Sequence, residues 1–388
     1  MEETSNSEVM KREYAYWMAL AHLPRMRTAR KNELIVRLFE EKQSIIEFFH
    51  CEKADWQNLF LLNENEIELL NDAKNELPNY SFLVEDLLNQ GYDIIPITSP
   101  NYSPIIKNNL KRAYSPPLIY TKGNKQIMKE DSIAIVGSRK AEDISLEFTD
   151  NVAKTASKDY KVVVSGFAKG VDKQALDSAI KYKGQSIIVL PQGITTFQSG
   201  FKKYYKQIVE GDVLVLSTFF PKAPWSVQFA MARNPIIYGL AKEIYVAESS
   251  GKGGTWSGVV DGLRKERNIY VRIPLNSEKN ANKLLIQKGA IPVDIHGQKV
   301  DNYSLMELED SVVNEQSPAF DDIDSKIIKL LSTGAFSSKE IIEKLKIDWT
   351  ARKLTNHLKK NKLIEVLNKK SPIKFTTKNK ENIQQSLF

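Results

Sequence analysis

A chain of 388 residues that is 42% hydrophobic and 27% charged is ordinary for a soluble globular protein, and it is long enough for two or three domains. Its single cysteine excludes a disulfide framework and a cysteine-rich zinc site, and the four scattered histidines make metal or Cys/His catalysis poor expectations. Because no apolar run approaches the roughly 20 residues of a membrane span and the N-terminus does not resemble a signal peptide, we expect a cytoplasmic protein without membrane contact.

Apolar residues recur at three- and four-residue spacing from about residue 14 to 90. This periodicity predicts an all-helical N-terminal module over residues 1–90, similar to a SAM or helix-hairpin-helix domain. Its stretch LPRMRTARKNELI lies where a helix-hairpin-helix turn would carry glycines, and it has none, so we expect packing before DNA contact. The next stretch, residues 92–124, is punctuated by prolines and holds two short strand-like runs, Ile94–Ile97 and Leu118–Tyr120.

From residue 131 onward, short β-branched runs alternate with helical stretches, and most of the runs are apolar on both faces. The predicted strands are Ile133–Val136, Val162–Ser165, Ser186–Leu190, Val213–Ser217, Glu243–Ala247 and Asn268–Ile273. This alternation predicts an α/β fold in which a Rossmann-like, doubly wound parallel sheet occupies residues 91–294. In such sheets ligands bind beyond the carboxyl ends of the strands, near the point where the strand order reverses.

The C-terminal end of the chain differs in composition from the rest. Residues 295–320 are polar and acidic, which predicts a linker, and residues 321–388 hold three helical stretches followed by the strand-like KKSPIKFTT. The third helical stretch is TARKLTNHLKKNKLIEVL, residues 350–367. This order is typical of a winged helix, with KLTNHLKKNKLI as its recognition-type helix and the exit from it. The net charge of +7 lies on this end, which favours a nucleic-acid partner, although a solvated lysine-rich surface explains the charge equally well.

Three loops at the ends of predicted strands combine glycines with hydroxyl groups and cations. They contain Gly137, Ser138 and Arg139 in the first loop, Ser165, Gly166, Lys169 and Gly170 in the second, and Gly253, Gly254 and Thr255 in the third. Backbone N–H groups of glycines and helix N-termini suit a phosphate, so converging loops would form an anion site. Each loop alone is more often structural. None matches GxGxxG or the Walker pattern, which disfavours dehydrogenases and P-loop NTPases.

The order of the motifs resembles the DNA-processing protein A family over about residues 92–294. The matching stretches are IAIVGSRKAED, VVVSGFAKGVDKQALDSAI, RNPIIYGLAKEIYVAES and NKLLIQKGAIPV. The chain departs from the family pattern at Pro235, where the family has a second arginine, and at STFFPKAPW. Its GKGGTWSG loop also departs, and it looks more like the phosphate loop of lysine-decarboxylase-like (LOG) proteins.

The resemblance implies a core that binds single-stranded DNA without base specificity, forms a homodimer and hands DNA to a RecA-type recombinase during natural transformation. The sequence shows no catalytic constellation, so we expect no cofactor, no metal and a protein that is not an enzyme. The DNA-facing residues carried over by position are Gly137, Ser138, Arg139, Ser165, Gly166, Lys169, Gly170, Arg233 and Asn234. A buried helix start is the alternative role of Arg233. Aromatic residues near the loops could stack on bases, although core packing is the stronger expectation for each of Phe167, Trp225, Phe229 and Trp256.

Two other functions stay open. In the first, a nucleotide-binding or nucleotide-processing protein uses Gly253, Gly254 and Thr255 as a phosphate cradle, with Asp172 or Glu248 as its acid or base. Helix-dipole stabilisation of Asp172 and a structural role at a strand end for Glu248 are the simpler interpretations. In the second, the C-terminal domain binds duplex DNA or a protein while the core senses a ligand.

Overall fold

The computed structural model describes residues 2–301 and 303, together with 326–327, 330–331, 333–347, 349–358, 364–367 and 373–377. The chain divides into two compact units, Met1–Leu305 and Met306–Phe388. No helix within the described residues is both long and apolar enough to cross a membrane. The predicted linker falls mostly outside these residues, and the predicted domain boundaries stay predictions.

The first unit begins with six helices, as the apolar periodicity predicts. They are α1 (Glu2–Ala21), α2 (Thr28–Glu40), α3 (Ile45–His50), α4 (Lys53–Asn58), α5 (Glu64–Asn75) and α6 (Leu77–Asn89). Capping boxes begin α3 at Ser44 and α5 at Asn63, where each side chain accepts a hydrogen bond from the backbone N–H three residues later. Pro78 lies in the first turn of α6, where its missing N–H costs nothing.

Strands and helices then alternate to the end of the first unit. The strands are β1 (Asp93–Pro96), β2 (Leu118–Lys122), β3 (Ser132–Gly137), β4 (Val162–Ser165), β5 (Ser186–Val189), β6 (Val213–Ser217), β7 (Glu243–Glu248), β8 (Asn268–Arg272) and β9 (Ile291–Val293). The helices are α7 (Pro104–Tyr114), α8 (Asp143–Lys158), α9 (Val171–Lys181), α10 (Gln198–Lys203), α11 (Tyr205–Glu210), α12 (Val227–Leu240), α13 (Gly253–Arg264) and α14 (Asn282–Gln287).

Among the described residues these strands form one nine-stranded sheet in the order β1-β2-β6-β5-β4-β3-β7-β8-β9. Neighbouring strands from β6 to β9 pair in parallel, whereas β1 and β2 join the β6 edge in antiparallel fashion. The strand order reverses between β3 and β7, which is the switch point of a doubly wound sheet. The predicted α/β Rossmann-like core is therefore confirmed.

The sheet is buried on both faces because its side chains alternate between two apolar clusters. Along β3, Ile133 and Ile135 pack with Phe148 of α8, whereas Ala134 and Val136 pack on the opposite face with Ile237 of α12. A third cluster joins the N-terminal helices to the sheet and includes residues of α1, β2 and β6. The helical module therefore shares a hydrophobic core with the sheet.

The second unit holds α15 (Ser338–Leu345), α16 (Ala351–Leu358) and three antiparallel strands, β10 (Phe336–Ser337), β11 (Ile364–Val366) and β12 (Lys374–Thr377), in the order β10-β12-β11. Ile364–Val366 was predicted to continue a helix and instead forms a strand paired with β12. Phe375 is fully buried in a core that contains residues of both helices. The winged-helix assignment stays a prediction, because much of this unit lies outside the described residues.

A buried ion pair joins Arg272, at the end of β8, to Glu278 in the loop that follows. The Arg272 side chain is 1% exposed and that of Glu278 is 4% exposed. The guanidinium donates to Glu278 Oε1 at 2.8 Å, to the Ala247 carbonyl at 3.0 Å and to Ser145 Oγ at 3.0 Å. One side chain therefore connects β8, β7, α8 and the loop that follows β8.

We expect Glu278→Ala to lower the free energy of unfolding by about 3 kcal/mol, because it leaves the Arg272 charge buried without its counter-ion. The double variant Arg272→Met/Glu278→Leu should lose less than the single variant, since neither charge remains. Urea unfolding followed by circular dichroism measures both effects. A Glu278→Ala loss below about 0.5 kcal/mol, the range of ordinary surface substitutions, would contradict this account.

Candidate nucleic-acid interface

The loops after β3 and β7 diverge at the switch point and leave a crevice between them. Gly137 at the end of β3 pairs with Glu248 at the end of β7, with an irregularity in register at that point. Helices α8, α9 and α13 all begin at this edge because each follows a parallel strand. Their first-turn N–H groups therefore lie near the crevice, and they give it a positive potential.

A cavity of about 400 Å³ occupies the crevice, and we call it the switch-point cavity. Eight predicted site residues line it: Gly137, Ser138, Arg139, Arg233, Asn234, Gly253, Gly254 and Thr255. A second cavity of about 400 Å³, the aromatic cavity, is lined by Gly166, Lys169, Phe167 and Trp225 among others. Arg139 and Arg233 line both cavities, whereas Ser165 and Gly170 line neither.

Glycines allow the first two loops to touch through their backbones. A β-carbon on Gly170, whose φ is +77°, would lie 2.3 Å from the carbonyl oxygen of Ser138. A β-carbon on Gly137 would lie 2.5 Å from a methyl group of Val171. In this arrangement the Val171 N–H donates to the Ser138 carbonyl at 3.2 Å, which joins the start of α9 to the first loop.

Arg233 is 4% exposed, so its cation faces the protein interior rather than solvent. Its Nη1 donates to the Val189 carbonyl at 2.9 Å, and a β-carbon on Gly166 would lie 1.6 Å from this nitrogen. Burial lowers the pKa of Arg233, and the nearby Asp172 carboxylate opposes that shift. Burial likewise raises the pKa of Asp172, while Arg233 and the N–H groups of Ala168 and Gly166 favour its charged form. Arg233 and Asp172 are thus two buried groups of opposite charge beneath the loops, and each favours the charged form of the other without a direct salt bridge.

The exposed cations of the site come from the loops themselves. Arg139, Lys140 and Lys169 are exposed, as is Lys252 just before α13. None of the four forms a salt bridge with any residue that the structure describes. Their charges are therefore available to an anionic ligand.

Two of the three hydroxyl groups hold the loops in place. Thr255 donates to the Gly137 carbonyl at 3.1 Å and so connects the start of α13 to the first loop. Ser165 is buried, and its hydroxyl donates to the Ile135 carbonyl at 3.4 Å. Ser138 accepts from the Lys140 N–H at 3.1 Å, which leaves its hydroxyl proton for a ligand.

Aromatic side chains stand beside the cations in the aromatic cavity. Trp225 is 52% exposed, in contrast to the expectation of core packing. Phe167 has the unfavourable φ of +60°, and its ring packs edge-on against Phe197 at a centroid distance of 5.0 Å. An exposed indole next to the Arg139 and Lys169 loops provides a face on which a nucleobase can stack.

The two carboxylates considered for acid or base chemistry have structural partners. Asp172 lies in the first turn of α9 and is 8% exposed. Glu248 accepts a hydrogen bond from the Glu142 N–H at 3.0 Å at the mouth of the switch-point cavity. Within the part of the chain that the structure describes, no group of three His, Cys, Asp or Glu residues could hold a metal ion.

Comparison with known proteins decides the family. The family model for DNA recombination-mediator protein A matches residues 93–303, just over half of the chain. The chain belongs to this family. Its resemblance to DNA-processing protein A, inferred above from the motifs, is thereby confirmed.

Two relatives illustrate how far the similarity extends. DNA processing protein DprA of Streptococcus pneumoniae is 31% identical over 180 residues, which cover 45% of this chain and 63% of the relative. DprA of Bacillus subtilis is 28% identical over 208 residues, covering 52% of this chain and 67% of that protein. The match therefore spans less than two thirds of the pneumococcal protein.

The X-ray structure of pneumococcal DprA has a TM-score of 0.53 to this structure. The two are 22% identical in sequence, and the match covers 72% of this chain and 94% of that one. This likeness supports the fold of the first unit.

The sequence prediction missed several residues at this edge of the sheet. Lys140 and Lys252 belong to the same exposed cationic group as Arg139, and their positions beside the glycine loops were a usable signal. Met231 and Tyr238 line the switch-point cavity about one and three turns into α12. Nothing in the local sequence indicates that this face of α12 turns toward the crevice.

Arg233 and Arg139 should behave oppositely on substitution. We expect Arg233→Gln to lower the free energy of unfolding by about 3 kcal/mol, because Asp172 loses the charge that compensates its burial. Arg139→Ala should stay within about 0.5 kcal/mol of the unmodified chain, as an exposed residue does. Urea unfolding of both variants measures the difference. Equal losses would mean that Arg233 is not a buried structural cation.

Proposed function

We propose that this chain binds the backbone of single-stranded DNA at the switch-point edge of its sheet and acts as a recombination mediator. The observation that carries the proposal is the group of exposed, unpaired cations around Arg139, which lines two adjoining cavities of different character. Membership of the recombination-mediator family supports it, and so does the pneumococcal relative named as a DNA processing protein.

A strand suits this edge better than an isolated phosphate does. Arg139 lies between a polar cavity at the helix N-termini and a cavity with an exposed tryptophan. A phosphate bound at Arg139 would have the start of α13 on one side and Trp225 on the other. Adjacent phosphate and base subsites are what a polynucleotide requires, and cations with stacking faces bind it with little sequence preference.

The twelve predicted residues divide into two proposed roles. Arg139, Lys169 and the Ser138 hydroxyl contact the strand, together with the N–H groups of Gly253 and Gly254. The remaining residues hold the loops in position, namely Gly137, Ser165, Gly166, Gly170, Arg233, Asn234 and Thr255. This division follows from exposure, since Arg233 and Ser165 are buried.

Transfer of the bound strand to a RecA-type recombinase and assembly into a homodimer are further parts of the proposal, and they rest on family membership alone. The second unit, with its excess of lysine, would bind duplex DNA or a protein. The proposal assigns no catalytic step, because both carboxylates near the cavity already hold structural positions.

A nucleotide-binding protein is the second candidate function. It is favoured by the first turn of α13, where Gly253 (φ +87°) and Gly254 line a cavity large enough for a nucleotide. In this alternative a free nucleotide, rather than a strand, would place its phosphate at the helix N-terminus.

Fluorescence anisotropy of a labelled poly-dT oligonucleotide across a salt series tests the proposal. We expect the affinity to fall as salt rises and Arg139→Ala to weaken binding about tenfold, as expected for the loss of a charge-assisted hydrogen bond of roughly 1.5 kcal/mol. Arg139→Ala should also make the log–log salt slope shallower by about 0.7, the value for one phosphate contact on a single strand.

Arg264→Ala is the matched control, because Arg264 is 76% exposed at the far end of α13 and lies outside both cavities. It should leave the affinity within about twofold of the unmodified chain. An affinity that is indifferent to Arg139 would contradict the proposal. Binding of nucleoside monophosphates that abolishes oligonucleotide binding would favour the second candidate.

A further inference from the structure

A groove lies between α2 and α7, on residues that line neither cavity at the switch point. We call it the α2–α7 groove, and its volume is about 420 Å³. Its lining residues are Asn32, Ile35, Val36, Phe39, Ile97, Thr98, Lys107, Lys111, Arg112 and Ser115. None of these residues is a carboxylate, so every charged group that lines the groove is a cation.

The α2 side of the groove presents large apolar side chains to solvent. Phe39 is 67% exposed and Val36 is 36% exposed, one turn apart on the same helix face. Ile35 lies beside them and is buried. Single exposed apolar residues are common on proteins, but apolar residues grouped along a groove mark a surface that another molecule covers.

The α7 side supplies three exposed cations, Lys107, Lys111 and Arg112. None of the three forms a salt bridge with a described residue. The Lys107 ammonium lies 5.3 Å from the centre of the Tyr102 ring, which is its one close electrostatic contact among the described residues. A partner that covers the groove would have to carry negative charge to match this side.

The backbone at this position is strained and leaves a buried acceptor without a donor. Lys111 has φ 56° and ψ −175° within α7, a conformation that is costly for any residue other than glycine. Asn32 stabilises the distortion, since its Nδ2 donates to the Arg112 carbonyl at 2.6 Å and to the Ser115 carbonyl at 2.8 Å. The Oδ1 of Asn32 is buried and has no hydrogen-bond partner among the described residues. Strain and an unsatisfied polar atom cost free energy, and they are typical of binding sites.

We propose that the α2–α7 groove is a docking site for an acidic peptide segment of a partner protein that carries a bulky apolar side chain. The apolar side chain would pack between Phe39 and Val36, and the carboxylates would pair with Lys107, Lys111 and Arg112. If the groove opened slightly at Asn32, the buried Oδ1 of this residue would accept a hydrogen bond from a peptide N–H. Each unusual feature of the groove then has a matching group on the partner.

The same features disfavour nucleic acid as the occupant. A phosphate backbone would meet the cations but would leave Phe39 and Val36 uncovered. The unpartnered atom of Asn32 is an acceptor, and it would repel a phosphate oxygen where a peptide N–H would bind. The groove therefore differs from the switch-point edge, where unpaired donors face the ligand.

The test uses the full chain and a fluorescein-labelled synthetic peptide of the sequence EDEFLEDEWE, which stands for a partner's segment because it joins carboxylates to bulky apolar side chains. Anisotropy should show saturable binding that weakens at least tenfold, or about 1.4 kcal/mol, in Phe39→Asp and in Lys107→Glu/Arg112→Glu. Phe82→Asp is the matched control, because Phe82 is 73% exposed on α6 and does not line the groove. It should bind like the unmodified chain.

Two further peptides separate charge from apolar contact. One replaces every carboxylate by its amide, the other replaces every apolar residue by serine, and both should bind at least tenfold more weakly than the parent. The proposal is overturned if the parent peptide does not bind, if either altered peptide binds equally well, or if Phe39→Asp leaves binding unchanged. It is also overturned if Phe39→Asp weakens poly-dT binding as much as peptide binding. Thermal unfolding should be equal for Phe39→Asp and Phe82→Asp, since both residues are exposed.

Discussion

A β-carbon on Gly166 would lie 1.6 Å from Nη1 of Arg233, and one on Gly170 would lie 2.3 Å from the Ser138 carbonyl. The loop after β4 can pack this closely against Arg233 and against the loop after β3 only because glycine occupies these positions. Beneath them Arg233 ties α12 to the end of β5, and Asp172 receives the N–H groups of the second loop. This close packing sets the positions of the exposed Arg139 and Lys169 side chains, so the proposed interface depends on it.

The electrostatics of the site follow from which charges are buried. Arg233 and Asp172 are both buried and opposite in sign, so together they add no net charge to the site. The exposed cations around Arg139 and the N-termini of α8, α9 and α13 then determine the potential of the crevice. An anionic strand would meet positive groups with few competing carboxylates, of which Glu248 is engaged by a backbone N–H. The α2–α7 groove differs from this site, because its cations lie beside exposed apolar side chains.

The sheet could be predicted from the sequence because its strands are buried on both faces. Such strands are continuous runs of apolar, mostly β-branched residues. The predicted strands Ile133–Val136 and Val162–Ser165 are neighbours in the sheet, and the loops that follow them are in contact, as expected. Burial of Arg233 was only one of two expectations, since a helix sequence does not specify which face meets the sheet, and the residue lies within α12 and not at its start. The exposure of Trp225 could not be predicted either, because this residue lies in an irregular loop whose path depends on tertiary contacts. The kink at Lys111 has no sequence signal at all, since lysine ordinarily continues a helix.

Photo-crosslinking of the full chain to an oligonucleotide containing 5-iododeoxyuridine, with the adducts mapped by mass spectrometry, tests the central claim most directly. Aromatic side chains that stack on a base are the groups that react, so the account predicts adducts at Trp225 and at Phe167 of the loop that carries Lys169. At a protein concentration near the dissociation constant, the yield of these adducts should fall in Arg139→Ala and stay unchanged in Arg264→Ala. Adducts confined to residues 326–377 would contradict the account, because the strand would then bind the second unit instead of the switch-point edge.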